Sequence, residues 1–309
     1  PARVARLRAA MRAARVMSWT GRGSLVGPAR RVGDLAAGPA AHVVDGAQAV
    51  LGDLPRSSSH LVEVPLEAGD TLDTGVLRMS ALSQTARNLR AALDEQRALE
   101  QAVVTFGGDA GVGTIAALHA AGAAHAAGAT DATDPALAVI WFGARGAFHS
   151  PASSPTKAFH DMAARALVDP SIPRPDADSP GPMIGHGRLA LIGVRAMDEA
   201  QVAAAEAHGV ALRSPDNLNP DELVAAITAA GASRVFVHID LNVLDPSALS
   251  GLGHAEPFGL DLRQLLETIA ALRERLPLAG AAITEYAPSS PAAVTHDMST
   301  ILRIVGALV

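Results

Sequence analysis

Six short runs rich in apolar and β-favouring side chains, residues 60–66, 101–106, 137–142, 188–194, 234–241 and 278–286, alternate along this chain with alanine-rich stretches of helical period. Several of them, Leu-Ala-Val-Ile-Trp-Phe at 137–142 above all, are apolar at every position rather than at every second one. That is the pattern of strands covered on both faces. Residues 76–101, 113–127, 198–208, 220–230, 261–275 and 291–308 read as the covering helices. The alternation predicts a doubly wound α/β domain with a mainly parallel sheet. Ligands of such sheets bind beyond the carboxyl ends of the strands, so a site is expected just after Phe106, Phe142, Ile239 and Ile283.

The segment 169–187 carries five prolines and no periodicity, and reads as a long surface loop inside one domain spanning 18–309. Residues 2–17 form a basic extension with the period of a short amphipathic helix, Val4, Leu7, Met11 and Val16 on one side and arginines elsewhere. Lys157 is the single lysine and is expected to be a flexible surface cation. The net charge is -6, with 18% of residues charged and 49% hydrophobic. This excludes a disordered tail protein and argues against a nucleic-acid binder. No apolar segment approaches the length of a membrane span and no signal peptide is visible, so a cytoplasmic protein is expected. There is no cysteine, and any metal must therefore bind through His, Asp, Glu or Asn.

Four strand ends carry the chemistry. Phe106-Gly-Gly-Asp109 to Gly113 is a glycine-rich turn whose spacing fits neither a Walker loop nor a dinucleotide fingerprint. A nucleotide-binding turn stays open there, beside the simpler reading of Asp109 as a helix cap. After the third run comes Trp141-Phe-Gly-Ala-Arg-Gly-Ala-Phe-His149. After the fifth, His238, Asp240 and Asn242 alternate and project from one side if the strand persists. After the last, Glu285 stands in Ile283-Thr-Glu-Tyr-Ala-Pro288.

Taken in order, Phe106-Gly-Gly-Asp109, Val139-Ile-Trp-Phe142, Phe159-His-Asp-Met162, Asp240-Leu-Asn-Val-Leu-Asp-Pro246 and Ile283-Thr-Glu-Tyr-Ala-Pro288 resemble the signature of the ureohydrolase superfamily: arginase, agmatinase and formiminoglutamase. The resemblance covers about residues 18 to 309. It implies a three-layer α/β/α fold, assembly as trimers or hexamers, and two manganese ions whose bridging hydroxide attacks a guanidinium carbon. It also implies that His160 stands where the family has its proton-transfer histidine, and Glu285 where the family holds the substrate guanidinium.

The metal shell departs from that pattern. Ala110, Gly143, Arg145 and Ala147 occupy positions of family ligands, Asn242 replaces an aspartate, and only Asp240 is retained. Two divalent cations need several carboxylate or imidazole ligands each, and this set does not supply them. Arg145 is expected to replace part of the lost positive charge by pairing with Asp240. The expected function is that of an arginase-like pseudoenzyme without a cofactor, binding a small guanidino or amidino compound or assembling with itself or an active paralogue. The alternative is an active amidino C–N hydrolase with one manganese or zinc ion on a rearranged set, His238, Asp240 and Asn242, helped by His149 or His160.

Overall fold

The computed structural model describes residues 15–19, 49–50, 59–62, 64–65, 69–97, 103–125, 133–134, 137–176 and 183–309. Its strands are β1 (Arg15–Trp19), β2 (Ser59–Val62), β3 (Val103–Phe106), β4 (Thr133–Asp134), β5 (Leu137–Phe142), β6 (Met183–Ile184), β7 (Leu189–Ile192), β8 (Ala211–Arg213), β9 (Arg234–Asp240) and β10 (Leu278–Thr284). Eight of them form one sheet in the order β2-β1-β3-β10-β9-β5-β7-β8, with every pairing parallel. β4 and β6 pair separately. The main helices are α1 (Met79–Arg97), α2 (Gly111–His125), α3 (Glu199–Ala207), α4 (Pro220–Ala229), α5 (Leu262–Arg275) and α6 (Pro291–Leu308).

The unbroken apolar run of β5 is explained by its two faces. Leu137, Val139 and Trp141 share a core with Leu89 of α1 and Ile115 and Leu118 of α2. Ala138, Ile140 and Phe142 pack instead with Ile227 of α4, Ile269 of α5 and Ile304 of α6. Alternate side chains point to opposite faces, so a strand between two helical layers has no position left for a polar residue. The three-layer architecture read from the sequence is the one observed. Local signals agree with it: Asp261 and Gln264 close a capping box on α5, and Asn219 and Ser290 cap α4 and α6.

One expectation needs correction. Residues 15–17, read as the end of the basic helix, belong to β1 and pair with both β2 and β3, so the sheet starts ahead of residue 18. Ladder bonds on both sides outweigh a weak helical period. Residues 2–14 lie outside the described residues. The three-residue edge strand β8 was too short to announce itself. In the proline-rich segment, Arg90 of α1 pairs with Asp176 at 2.8 Å, fastening the loop to the domain.

One side chain fixes the strand ends around the future site. Gly193 follows β7 at φ +82°, and a Cβ there would stand 2.4 Å from Val243, so the chain turns tightly against the loop after β9. The next-but-one residue, Arg195, donates to the carbonyls of Gly193, Asn242 and Val243 at 2.9, 3.0 and 3.3 Å, and to those of Leu244, Glu256 and Pro257 at 3.4, 2.8 and 2.8 Å. A guanidinium's five donors in a fixed fork can serve six carbonyls with one N–H shared; an ammonium's three cannot. Arg195→Met should therefore cost about 2–4 kcal/mol, because it strands several carbonyls away from solvent. Arg195→Lys should recover less than half of that, as measured by urea unfolding.

Candidate functional site

Beyond the carboxyl ends of β3, β5, β9 and β10 lies a cavity of about 170 Å³. Ala110, Arg145, Ala147, Asp240, Asn242, His160 and Glu285 all line it. Gly143 borders it, since a Cβ on this residue would lie 3.3 Å from Asp240 Oδ2. The parallel topology thus brings together the residues singled out from four separate strand ends. His238 does not line the cavity, although it precedes Asp240 on the same strand.

Asp240 is 4% exposed, and a buried carboxylate needs partners. Its Oδ1 accepts from His238 Nε2 at 2.9 Å and from the hydroxyl of Thr284 on the neighbouring strand. His238 is fully buried and stacks on Trp141 with ring centroids 3.6 Å apart. The ring fits only because residue 113 is glycine: a Cβ there would stand 1.9 Å from His238 Nδ1. Asn242 turns its Oδ1 to the N–H of Ala144 at 3.0 Å. His238 is therefore spent on Asp240 and Asn242 on the backbone, and only Asp240 and Asn242 of the three line the cavity. No hydrogen bond or ion pair joins Arg145 to Asp240; the expected pairing is replaced by His238 and Thr284, and Arg145 is exposed.

The donor set does not fit the two manganese ions of the resembled family. Ala110, Gly143 and Ala147 offer no side-chain donor, Arg145 offers a cation, and the remaining carboxylate already holds two protein donors. Among the described residues, no group of three His, Asp or Glu side chains is placed to hold a metal ion.

His160 sits in a 3-10 turn, Phe159–Met162, with its Nε2 3.1 Å from Asp161 Oδ1. Asp161 Oδ2 accepts from Ser154 Oγ at 2.8 Å and Thr156 Oγ1 at 2.6 Å. Burial penalises the His160 cation, but the Asp161 hydrogen bond and the charges of Asp109, Asp161 and Glu285 outweigh it and raise the imidazole to about 9. Burial likewise opposes the Asp161 charge, yet the His160 bond and charge and the two hydroxyls hold it well below the carboxylate range. Asp109 caps α2 through Gly111 N at 2.9 Å, as read from the sequence. Burial pushes its carboxyl up to about 6, with Glu285 and Asp240 adding to the rise and His160 and the Gly111 N–H opposing it.

Lys157 departs from expectation. Its ammonium donates to the carbonyls of Pro151 and Ala152 at 2.6 and 3.2 Å. It clasps the loop that carries Ser154 and Thr156 to Asp161. Glu285 faces His254 at 3.9 Å rather than an arginine. Its backbone is left-handed at φ +67° and is anchored by its N–H to Gly108 O at 3.0 Å. Thr156, Asp161, Gln201 of α3 and His254 also line the cavity. Sequence reasoning missed them, because their approach to the strand ends is set by tertiary folding; only Asp161, beside His160 in Phe-His-Asp-Met, carried a signal.

The sequence matches the Arginase family over residues 37–305. It is 25% identical over 280 residues to the arginase of Bacillus caldovelox, spanning 85% of this chain and 88% of that one. A shorter match, 30% identical over 102 residues, is to the N(1)-aminopropylagmatine ureohydrolase of Thermus thermophilus; it takes in 33% of this chain and only 35% of that enzyme's length. In fold, the chain resembles the Bacillus caldovelox arginase structure at a TM-score of 0.75 with 21% identity, over 96% of this chain and 98% of that one. It also resembles the formimidoylglutamase of Bacillus subtilis at 0.64 with 17% identity, over 95% and 86%.

Two measurements test this geometry. Gly→Ala inside a helix ordinarily stabilises by about 0.5–1 kcal/mol. Gly113→Ala should instead destabilise by about 1–3 kcal/mol, because the new methyl must displace the His238 ring, and urea unfolding reads the sign. His160 should titrate near pH 9 by NMR. Since its folded value lies above the ordinary 6.5, its contribution to stability is complete below about pH 6.5 and fades as pH rises through 9. Asp161→Asn, which removes the strongest raising partner, should move that titration down toward neutrality.

Proposed function

The chain belongs to the arginase family, and on that premise we propose that its cavity binds a small guanidinium or amidinium compound without holding the family's paired manganese. The observation that carries the reading is the charge of the pocket. Of the residues that line it, the carboxylates of Asp161, Asp240 and Glu285 stand against the cations of His160 and Arg145. A planar cation with several N–H donors complements Glu285 and the free Oδ2 of Asp240 by charge-assisted hydrogen bonds.

Hydrolysis is the less supported use of this pocket. Attack on an amidine carbon needs a base that can take a proton from water near neutral pH. His160, raised to about 9, is already protonated there and serves as a donor. The positions where the family places its metal ligands supply too few donors to generate a hydroxide. The site retains the recognition half of the family's chemistry, a carboxylate facing a guanidinium, and lacks the activating half.

Calorimetric titration with n-butylguanidine, and separately with manganese and zinc, tests the reading. Binding of the organic cation is expected, with Glu285→Gln weakening it about 10- to 100-fold, the cost of a hydrogen bond to a charged group. Stoichiometric, tight metal binding accompanied by release of urea or ammonia from an amidino compound would replace this reading with that of a working hydrolase.

A further inference from the structure

Asp297 of α6 does not line the cavity, yet it is a carboxylate only 1% exposed. Its Oδ1 accepts from Ser250 N at 3.0 Å and its Oδ2 from Gly251 N at 2.7 Å, and the Ser250 hydroxyl lies 3.0 Å from each oxygen. The ring of His296, largely exposed, stands 3.1 Å from Oδ1. A buried carboxylate is costly, and these donors must offset that cost. The two residues it holds begin a strap that ends at the cavity. Gly251 O accepts from Ala287 N at 2.8 Å, and Leu252 bridges Tyr286 in antiparallel sense. A Cβ on Gly251 would stand 2.5 Å from the Tyr286 ring and 2.9 Å from Asp297 Oδ2, so the strap lies flush against both. Running back along 286–287, it brings His254 to the cavity, with Nδ1 3.9 Å from Glu285 Oε2. Beyond this point Arg195 holds the carbonyls of Glu256 and Pro257. Among the described residues, Gly253, His254 and Ala255 make no backbone hydrogen bond, and their course depends on the anchors at either side.

We infer that Asp297 is a positioning residue for the cavity: by holding Ser250 and Gly251 it sets where His254 stands against Glu285, without touching a ligand itself. The geometry concerns this chain alone, while its effect on binding rests on the proposed cation-binding reading. The residue type follows from the task. A carboxylate is acceptor-only on both oxygens, so it can take two successive backbone N–H groups and a hydroxyl at once. That grip stops the strap from sliding along Tyr286. Glu285 has its own anchor, the bond from its N–H to Gly108 O. A displaced strap therefore moves His254 and leaves the backbone of the carboxylate in place, so the two side chains part.

NMR of the protein carrying isotope-labelled histidine tests the geometry without a ligand. The His254 ring signal is identified by its loss in His254→Ala. Glu285→Gln should move that signal in the wild-type background and leave it unmoved in Asp297→Ala, where ring and carboxylate have parted. Gly251→Ala lifts the strap while keeping every charge, and should behave as Asp297→Ala does. Asp297→Asn keeps one acceptor of the two and should fall between. Should circular dichroism show Asp297→Ala unfolded, Gly251→Ala and Asp297→Asn carry the same comparison. Calorimetry with n-butylguanidine then reads the consequence for binding. Asp297→Ala and His254→Ala should each change the affinity about threefold or more in the same direction, and the double variant should match His254→Ala alone, because groups that act through one another are not additive. If Glu285→Gln fails to move the His254 signal in the wild type, or moves it equally in Asp297→Ala, the role given to Asp297 is overturned. It is also overturned if n-butylguanidine binds and the effects of the two variants simply add. If the signals behave as expected and n-butylguanidine does not bind the wild-type protein, the cation-binding reading falls and the positioning of His254 by Asp297 stands.

Discussion

A carboxylate at the end of a central strand must find partners, and how Asp240 finds them organises the site. The sheet places it between β10 and β5, 4% exposed, where water can reach little of it. An unpaired ion there would cost several kcal/mol. Thr284 from the adjacent strand and His238 from two residues earlier supply the hydrogen bonds. His238 occupies its place only because Gly113 leaves room and Trp141 offers a stacking face. Four elements, β5, β9, β10 and α2, are therefore interlocked around one acidic group, which is also at the floor of the cavity.

Around that floor the chain holds conformations that it would not adopt unaided. Ala147 and Glu285 have left-handed backbones at φ +49° and +67°, costing on the order of 1 kcal/mol or more each for residues with a Cβ. Both are pinned by backbone bonds. Ala147 O accepts from Ala164 N and Arg165 N, and Glu285 N donates to Gly108 O. These residues sit in the loops after β5 and β10, so the sharp turns are what bring cavity-lining side chains over the strand ends. The six-carbonyl grip of Arg195 does the same for the loop after β9. Shape is held here by hydrogen bonds from the protein's own groups.

Most of the sheet was legible in the sequence because burial on two faces leaves an unbroken apolar run, and Leu137–Phe142 has the same limits by pattern and by structure. The helix of 291–308 was equally plain, marked by a serine cap and a proline in its first turn. β1 was hidden because Arg15-Val-Met-Ser-Trp19 continues an arginine and alanine run of helical period, and only its neighbours β2 and β3 make it a strand. The strand-end residues of the cavity were legible through topology, which sends every parallel strand's end to one edge. The partners of those residues were not. Sequence distance gives no hint that Thr284 would bind Asp240, or that His254 would face Glu285. The same holds for the lone lysine that clasps carbonyls near His160. Each depends on where a loop or a neighbouring strand comes to rest.

The polar groups at the strand ends make physical sense as a set. Acids gathered around one cavity must each find partners. The chain does this with neutral and cationic donors of its own. Thr284 and His238 serve Asp240, and the Gly111 N–H serves Asp109. His160, held as a cation by Asp161, Asp109 and Glu285, offsets the charge between them. The protein's own groups thus offset the repulsion between these acids. Local balancing of this kind is incomplete at Glu285, which faces the half-exposed ring of His254 at 3.9 Å. That incompleteness, placed at a cavity carboxylate whose left-handed backbone is anchored to Gly108 O, is what a bound cation would relieve.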